Sequence, residues 1–224
     1  SGLDGAVVEH DTSRYGSKTY VLWTPHLGSP ERGIRVSPMG EASRIFSALV
    51  TDDVPTIVFS RSRKASELMF RWARDRLDPE RAKRISPYRA GYLAAERRRI
   101  ETRLFSGELL GVTATNALEL GIDVGGLDAA VITTFPGTIT SFRQQAGRAG
   151  RALDDSLAVL VAGQDALDQY YMNHPDDLFN RRPEAAVINP DNPHVLEGHV
   201  GCAAHEMPLV PDDRDFFGET LDET

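Results

Sequence analysis

Four short apolar runs alternate with stretches of helical spacing, and this alternation constrains the fold more than any other feature of the chain. The runs lack a strict apolar-polar alternation, which is typical of strands buried on both faces. They cover residues 56–59, 109–112, 129–132 and 157–161. Between the first two, apolar residues recur at helical spacing over 65–77, and Leu93, Ile100 and Leu104 mark a second helix. The pattern predicts an α/β fold, with a parallel sheet flanked by helices on both faces.

Residues 20–23 predict a further strand, and a helix over 42–49 follows, with Pro38 near its start. A chain of 224 residues with 41% hydrophobic residues can bury a sizeable core. After Gly163, prolines interrupt the pattern repeatedly. We therefore expect one lobe over residues 1–163, and a linker with the start of a truncated, mostly irregular or helical region over 164–224.

Residues 144–151 read Gln-Gln-Ala-Gly-Arg-Ala-Gly-Arg. On a helical turn, Arg148 and Arg151 would lie on the same side, with only small residues between them. Two guanidinium groups aimed at one point suit phosphate oxygens. An ordinary basic helix end, stabilised by the helix dipole, would have the same pattern. The octet alone does not decide between these interpretations.

A second motif occupies residues 114–124, Ala-Thr-Asn-Ala-Leu-Glu-Leu-Gly-Ile-Asp-Val, directly after the predicted strand over 109–112. At a strand end, Thr115, Gly121 and Asp123 can offer a hydroxyl, open backbone and a carboxylate to a ligand. A plain strand-to-helix loop, with Gly121 as a helix stop, is the alternative.

Together the two motifs resemble motifs V and VI of superfamily 2 helicases. The wording of residues 116–123, the Phe135-Pro136-Gly137 turn and the doubled glutamine are similar to the DEAD/H-box DNA helicases of the MrfA-like and RecQ4-like subfamily. The resemblance implies a RecA-like second motor lobe of an ATP-dependent helicase that acts in DNA repair. It also implies that residues 164–224 lead toward a winged-helix region.

The resemblance carries roles over to individual residues. It implies that Arg148 and Arg151 face the γ-phosphate of ATP, with Arg151 the better candidate for the arginine finger. It places Gln144, Gly121 and Asp123 near the nucleotide.

On the nucleic-acid side, the resemblance implies that one strand is held by residues of motifs IV, IVa and V. These are Ser60, Arg61, Arg89, Gly91 and Thr115. A solvent-exposed loop cation is the alternative for Arg89. The expected partner is single-stranded or tailed DNA, but backbone contacts of this kind do not distinguish DNA from RNA.

The charge of the chain is unevenly distributed. The net charge is −8, yet residues 61–103 hold 14 Lys and Arg against 6 Asp and Glu, whereas residues 152–224 hold 3 against 16. Such asymmetry can steer a polyanion toward one face. Arginines on solvated helix faces would give the same count.

Two motifs that ATP hydrolysis needs are missing from the sequence. The nearest approach to a phosphate loop, Gly16-Ser17-Lys18-Thr19, has a serine where the glycine should precede the lysine. An acidic magnesium box is not found either. Both belong to the first lobe in this superfamily, so we expect that lobe elsewhere in the polypeptide, with the Mg²⁺ ligands, and no ATP hydrolysis by this chain alone.

We expect a monomeric chain that does not span a membrane. No apolar run approaches the length of a membrane span. The single Cys202 excludes an intrachain disulfide and favours a cytosolic setting. With the family resemblance, we expect a cytoplasmic, nucleoid-associated bacterial protein. His199, Cys202 and His205 are spaced three apart, but three ligands do not close a zinc site, and we expect an amphipathic helix with a buried Cys202 and no metal. The remaining alternatives are an RNA or Lhr-type helicase lobe, and a non-catalytic RecA-like docking module. The final Arg151 argues against the Lhr type, where a histidine is expected.

Overall fold

The computed structural model of the chain describes residues 16–29, 31, 33–88, 91–119, 126–150, 154–185, 189 and 192–218. Six parallel strands form the main sheet. Two short strands, β2 (Leu27–Ser29) and β3 (Ile34–Arg35), pair antiparallel in a separate two-stranded sheet. The six are β1 (Lys18–Trp23), β4 (Thr56–Phe59), β5 (Ile85–Tyr88), β6 (Gly111–Ala114), β7 (Ala129–Thr133) and β8 (Ser156–Val161), in the spatial order β1-β8-β7-β4-β6-β5.

In the part of the chain that the structure describes, seven α-helices belong to the same compact unit as this sheet. Two of them, α1 and α2, are 14 residues long, and α5 has only 8. The helices are α1 (Pro38–Thr51), α2 (Arg63–Arg76), α3 (Pro79–Ala82), α4 (Ala94–Phe105), α5 (Ile139–Ala146), α6 (Ala166–Asn173) and α7 (Pro175–Asn180).

Successive residues of the strands point into two separate cores. In β4, Ile57 and Phe59 face a core shared with α4, α5, α6 and α7, whereas Val58 faces a core shared with α1 and α2. All four residues of β4 are buried, as the uninterrupted apolar run predicts. The predicted α/β fold with helices on both faces is therefore confirmed.

The strand expected over 109–112 is displaced toward the C-terminus. Leu109 and Leu110 are buried, but the strand that pairs in the sheet is Gly111–Ala114. The edge strand β5 was not predicted, since Pro87 lies in it and proline is a weak strand indicator except at a sheet edge.

The described residues up to Glu184 form one compact unit, and those from Ala185 onward belong to a second. The first unit therefore extends beyond Gly163, where the sequence led us to expect a boundary. Tyr171 of α6 and Leu178 of α7 are buried in the core on the α5 side of the sheet, which explains why this segment belongs with the lobe.

The second unit contains two further helices, α8 (Pro193–Glu206) and α9 (Arg214–Phe217). The expected helix through His199 and His205 is present as α8. Cys202 is exposed on it, so the expectation of a buried cysteine is wrong. Within the described part of the chain, no helix is long and apolar enough to span a membrane.

Candidate functional site

A pocket of about 190 Å³ opens at the carboxyl ends of three neighbouring strands, β4, β6 and β7. The chain passes from β6, on one side of β4, to β7 on its other side, so the pocket lies where the strand order reverses. Ligands of open parallel sheets bind at such positions. Its lining is mostly polar: Phe59, Ser60, Arg61, Asn116, Glu119, Thr133, Thr134, Pro136, Ser141 and Gln145.

Ser60 and Arg61 enter this lining directly after β4. The Ser60 amide donates to the Ala114 carbonyl at 2.9 Å, which ties the ends of β4 and β6 together. The buried Ser60 hydroxyl lies 3.2 Å from the Ser62 carbonyl and 3.3 Å from that of Ala114. The Arg61 guanidinium is exposed, donates to the Phe135 carbonyl at 2.5 Å and lies 3.6 Å from the Asp165 carboxylate. Both predicted residues thus lie at the pocket, and Arg61 also contacts the protein itself.

The other predicted nucleic-acid residues are more dispersed. Thr115 is buried at the end of β6, next to the pocket residue Asn116. Gly91 is exposed just before α4, and a Cβ placed on it would lie 3.7 Å from a guanidinium nitrogen of Arg63. Arg89 lies outside the described residues.

The two sequence motifs meet at Glu119. The buried Gln145 side chain of α5 donates to the Glu119 carboxylate at 2.9 Å, and a terminal nitrogen of Arg148 donates to the Glu119 carbonyl oxygen at 2.8 Å. Gln144 is half-buried beside them. Gly121, Asp123 and Arg151 lie outside the described residues.

The position of Arg148 differs from the expectation in one respect. Helix α5 ends at Ala146, with Gly147 as its C-cap, so Arg148 occupies the turn that follows the helix and not a helical turn. Glu119 and Gln145 were not predicted as site residues. The doubled glutamine marked Gln145, but its pairing with a carboxylate 26 residues away does not follow from local spacing.

Helix α5 is held at both of its ends by charged side chains. At its N-terminus, the Glu184 carboxylate accepts from the amides of Ile139 at 2.7 Å and Thr140 at 3.1 Å. These donors lower the pKa of Glu184 to about 2. At its C-terminus, the Lys18 ammonium donates to the Ala146 carbonyl at 2.8 Å, and burial lowers the pKa of Lys18.

The loop between β7 and α5 is conformationally strained and tightly anchored. Thr134 has a φ of 64°, which is unusual for a β-branched residue and costs of the order of 1–3 kcal/mol. The buried Asp168 carboxylate accepts from the Phe135 and Gly163 amides, each at 2.5 Å. Burial raises the pKa of Asp168, although both amides oppose the shift. Asp168 thereby fixes the strained loop to α6.

The described residues contain no cluster of three or more His, Cys, Asp or Glu side chains able to hold a metal ion. The pocket lining supplies a single carboxylate, Glu119, and its oxygen already accepts from Gln145.

Residues 42–153 match the family described as "Helicase conserved C-terminal domain", and the chain is 41% identical over 214 residues to the ATP-dependent helicase YprA of Bacillus subtilis. The chain belongs to the MrfA/Hrq1-like superfamily 2 helicases. This confirms the resemblance seen in motifs V and VI, and the sheet described above is the RecA-like C-terminal lobe of such a helicase.

Further similarities support the same family assignment. The chain is 39% identical over 229 residues to the ATP-dependent helicase hrq1 of Schizosaccharomyces pombe. It matches a crystal structure of the helicase MrfA bound to DNA with a TM-score of 0.82 and 40% identity, over 93% of this chain and 29% of that one. Residues 188–224 match the winged helix domain of the HRQ1 helicases.

The match to YprA includes 95% of this chain but only 29% of YprA. The match to hrq1 includes 98% of this chain but only 21% of hrq1. It therefore spans less than a third of these helicases. A mycobacterial Lhr helicase structure, at 23% identity and a TM-score of 0.65, shares the fold.

Proposed function

We propose that this chain is the second motor lobe of an ATP-dependent DNA helicase, and that Arg148 and Arg151 act on ATP held by another lobe of the same polypeptide. The observation that carries the proposal is the meeting of the two motifs at Glu119, where Gln145 and Arg148 both bind. A docking module that had lost catalysis would have no need for an arginine held at the strand-end motif.

The chemistry of the proposed reaction explains why an arginine is needed. During hydrolysis, negative charge develops on the γ-phosphate and the leaving oxygen, and a positioned guanidinium stabilises it, with an effect of ~10³–10⁵ on turnover. ATP would supply the phosphoryl group, and Mg²⁺ would supply positive charge that offsets the negative charge of the phosphates. In this chain, the contact with the Glu119 carbonyl restricts where the Arg148 guanidinium can point.

Gln144, Gly121 and Asp123 are proposed to complete the nucleotide side of the lobe. The Mg²⁺ ligands are proposed to lie in the first lobe, and this chain alone is proposed not to hydrolyse ATP. A structure of MrfA, at 40% identity, contains both DNA and AMPPNP, which supports nucleotide and DNA binding by the polypeptide that includes this lobe.

On the nucleic-acid side, Ser60, Arg61 and Thr115 are proposed to hold the backbone of one DNA strand, together with Arg89 and Gly91. Ser60 and Arg61 line the pocket at the carboxyl ends of β4, β6 and β7, where polar groups converge. Contacts of this kind position a strand without reading its sequence. A role in DNA repair, a cytoplasmic location and a monomeric state remain predictions.

The test uses a polypeptide that carries this chain joined to its nucleotide-binding lobe. We expect Arg148→Ala and Arg151→Ala each to lower the kcat of DNA-stimulated ATP hydrolysis by ~10³-fold or more, with DNA affinity retained. Lys83→Met, which removes an exposed partner of Glu80, serves as the control. Unchanged turnover in both arginine variants would refute the proposal.

The nucleic-acid arm measures the salt dependence of binding. The double variant Arg61→Ala, Arg89→Ala should bind single-stranded DNA more weakly, and the slope of log K against log salt should become shallower. A slope identical to that of wild type would show that Arg61 and Arg89 do not contact the DNA backbone. Running the same titration with RNA of equal length separates a DNA helicase from an RNA helicase lobe.

A further inference from the structure

The first three described residues of the chain contact both ends of the loop that contains Arg148. Gly16, Ser17 and Lys18 lie at the start of the edge strand β1, and they reach the segment between the end of α5 and the start of β8. We call these three residues the β1 clamp. The sequence drew attention to them only as an incomplete phosphate loop.

Lys18 holds the near end of this loop. Its ammonium donates to the carbonyl oxygens of Ala146 and Ala149, both at 2.8 Å. Arg148 lies between these two residues, so the two bonds bracket it. The last carbonyls of a helix lack partners within the helix, and a cation at that end also interacts favourably with the helix dipole.

Ser17 and Gly16 hold the far end. The Ser17 amide and hydroxyl both donate to one carboxylate oxygen of Asp155, at 3.0 Å and 2.6 Å. A Cβ placed on Gly16 would lie 2.1 Å from the carbonyl oxygen of Asp154, so no larger residue fits without moving the backbone. The strand register continues this contact, since Lys18 pairs with Ser156.

The described turn of this loop, residues 147–150, is closely packed. Gly150 has a φ of 93°, and its amide donates to the Leu127 carbonyl at 2.8 Å. A Cβ on Gly150 would lie 2.7 Å from the Ser156 hydroxyl and 3.9 Å from the Lys18 stem. The turn is thus confined between the β1 clamp and the neighbouring strands.

We propose that Lys18 is a positioning residue for ATP hydrolysis, which fixes the turn that presents Arg148 by binding the carbonyls on either side of it. This inference rests on the proposed function, because it assumes that Arg148 acts on ATP. It also gives the Gly16-Ser17-Lys18 sequence a role other than phosphate binding: its lysine binds main-chain carbonyls, and its glycine lets two backbones approach.

The test compares Lys18→Met and Lys18→Arg in the polypeptide that includes the nucleotide-binding lobe, with Lys83→Met as the matched surface control. Misplacement of a reacting group by ~1 Å can cost about 100-fold in rate, so we expect Lys18→Met to lower kcat by ~10- to 100-fold. The KM for ATP and the affinity for DNA should stay unchanged. Lys18→Arg should regain most of the lost kcat, because a guanidinium can donate to both carbonyls.

Two further readouts separate positioning from general stability. In an Arg148→Ala background, Lys18→Met should cause no additional loss of kcat, since both changes disable the same group. Hydrogen exchange of the Ala149 and Gly150 amides should accelerate in Lys18→Met, while exchange in the core strands stays as in wild type.

If Arg148→Ala abolishes turnover while Lys18→Met retains the wild-type kcat, the positioning role is wrong and the proposed function stands. Multiplicative losses in the double variant would equally overturn it, because Lys18 would then act by another route. If Arg148→Ala leaves turnover unchanged, the proposed function itself fails.

Should Lys18→Met not fold, Ser17→Ala removes the 2.6 Å hydrogen bond at the far end of the loop. It should lower kcat to a lesser degree, and an unchanged kcat would count against the clamp.

Discussion

Gly111, at the start of β6, lies where any side chain would collide with the core. A Cβ built on it would be 2.5 Å from Cζ and 2.7 Å from Cε2 of Phe46, and 3.1 Å from Cγ2 of Val50. Carbon atoms in favourable contact are ~3.5–4.0 Å apart, so the overlap is about 1 Å. Phe46 and Val50 are fully buried in α1, so the ring has no open space into which it can turn.

We therefore expect Gly111→Ala to destabilise the fold by a calculable amount. Overpacking of a core by one methyl group costs ~1–3 kcal/mol. Alanine also lowers the conformational entropy of the unfolded chain, which offsets ~0.4–1 kcal/mol of this cost. The net decrease in the free energy of unfolding is roughly 1–2 kcal/mol. For a chain of this size, the expected fall in Tm is about 2–8 °C.

Urea unfolding followed by circular dichroism measures this change as a shift of the midpoint at constant m-value. Gly40→Ala is the matched control, because a Cβ there meets only the Ser37 Cβ at 3.9 Å inside α1. It should leave stability unchanged or raise it by up to ~1 kcal/mol. Both variants replace glycine by alanine, so a difference between them reports the local packing.

A second substitution tests the cause. Phe46→Leu alone should cost up to ~1.5 kcal/mol, but the double variant with Gly111→Ala should be more stable than the sum of the two changes by ~1 kcal/mol, because the shorter side chain removes the overlap. Strict additivity, or a Gly111→Ala variant as stable as wild type, would refute the packing argument.

Two more predictions concern the contacts around α5. Glu184→Gln should weaken the acid dependence of stability: the carboxyl pKa falls from 4.5 to about 2, so its contribution is present above pH 4.5 and is lost as the pH falls through that window. An acid titration that matches wild type would show that Glu184 does not hold the helix. Asp168→Asn should lower the free energy of unfolding by ~1–3 kcal/mol, measured by urea titration. The asparagine NH₂ group would face one of the two backbone N–H groups that donate to Asp168, and that hydrogen bond would be lost. Asp75 is exposed and forms an ion pair with its neighbour Arg74 at 3.7 Å, so Asp75→Asn should have no effect. An equal loss in both variants would exclude the buried hydrogen bonds as the cause.

The sheet could be predicted from the sequence because buried strands leave a local signature. Each run from 56–59 to 157–161 is apolar at consecutive positions, and a strand packed on both faces requires this. The edge strand β5 exposes parts of Ser86 and Pro87, so it lacks that signature. The displacement of β6 has a different origin: Leu109 and Leu110 are buried and apolar like strand residues, although the strand itself begins at Gly111.

The site could be predicted in its parts but not in its connections. The residue types of motifs V and VI predict a functional role for Arg148 and for the strand end. The contacts that hold them link residues far apart in the chain, such as Lys18 with Ala149, 131 positions away, or Ile139 with Glu184, 45 positions away. Hydrophobic periodicity carries no information about pairs of this kind.

The short length of α5 gives these distant contacts their importance. A helix of 8 residues is too short to be stable by itself in water, so its place is set by what holds it. Phe142 buries one face in the core, Glu184 binds the N-terminus and Lys18 the C-terminus. Glu184 is the last residue of the compact unit. The helix N-terminus is therefore anchored by a residue beyond Gly163, and a lobe that ended at Gly163 would leave it without this anchor.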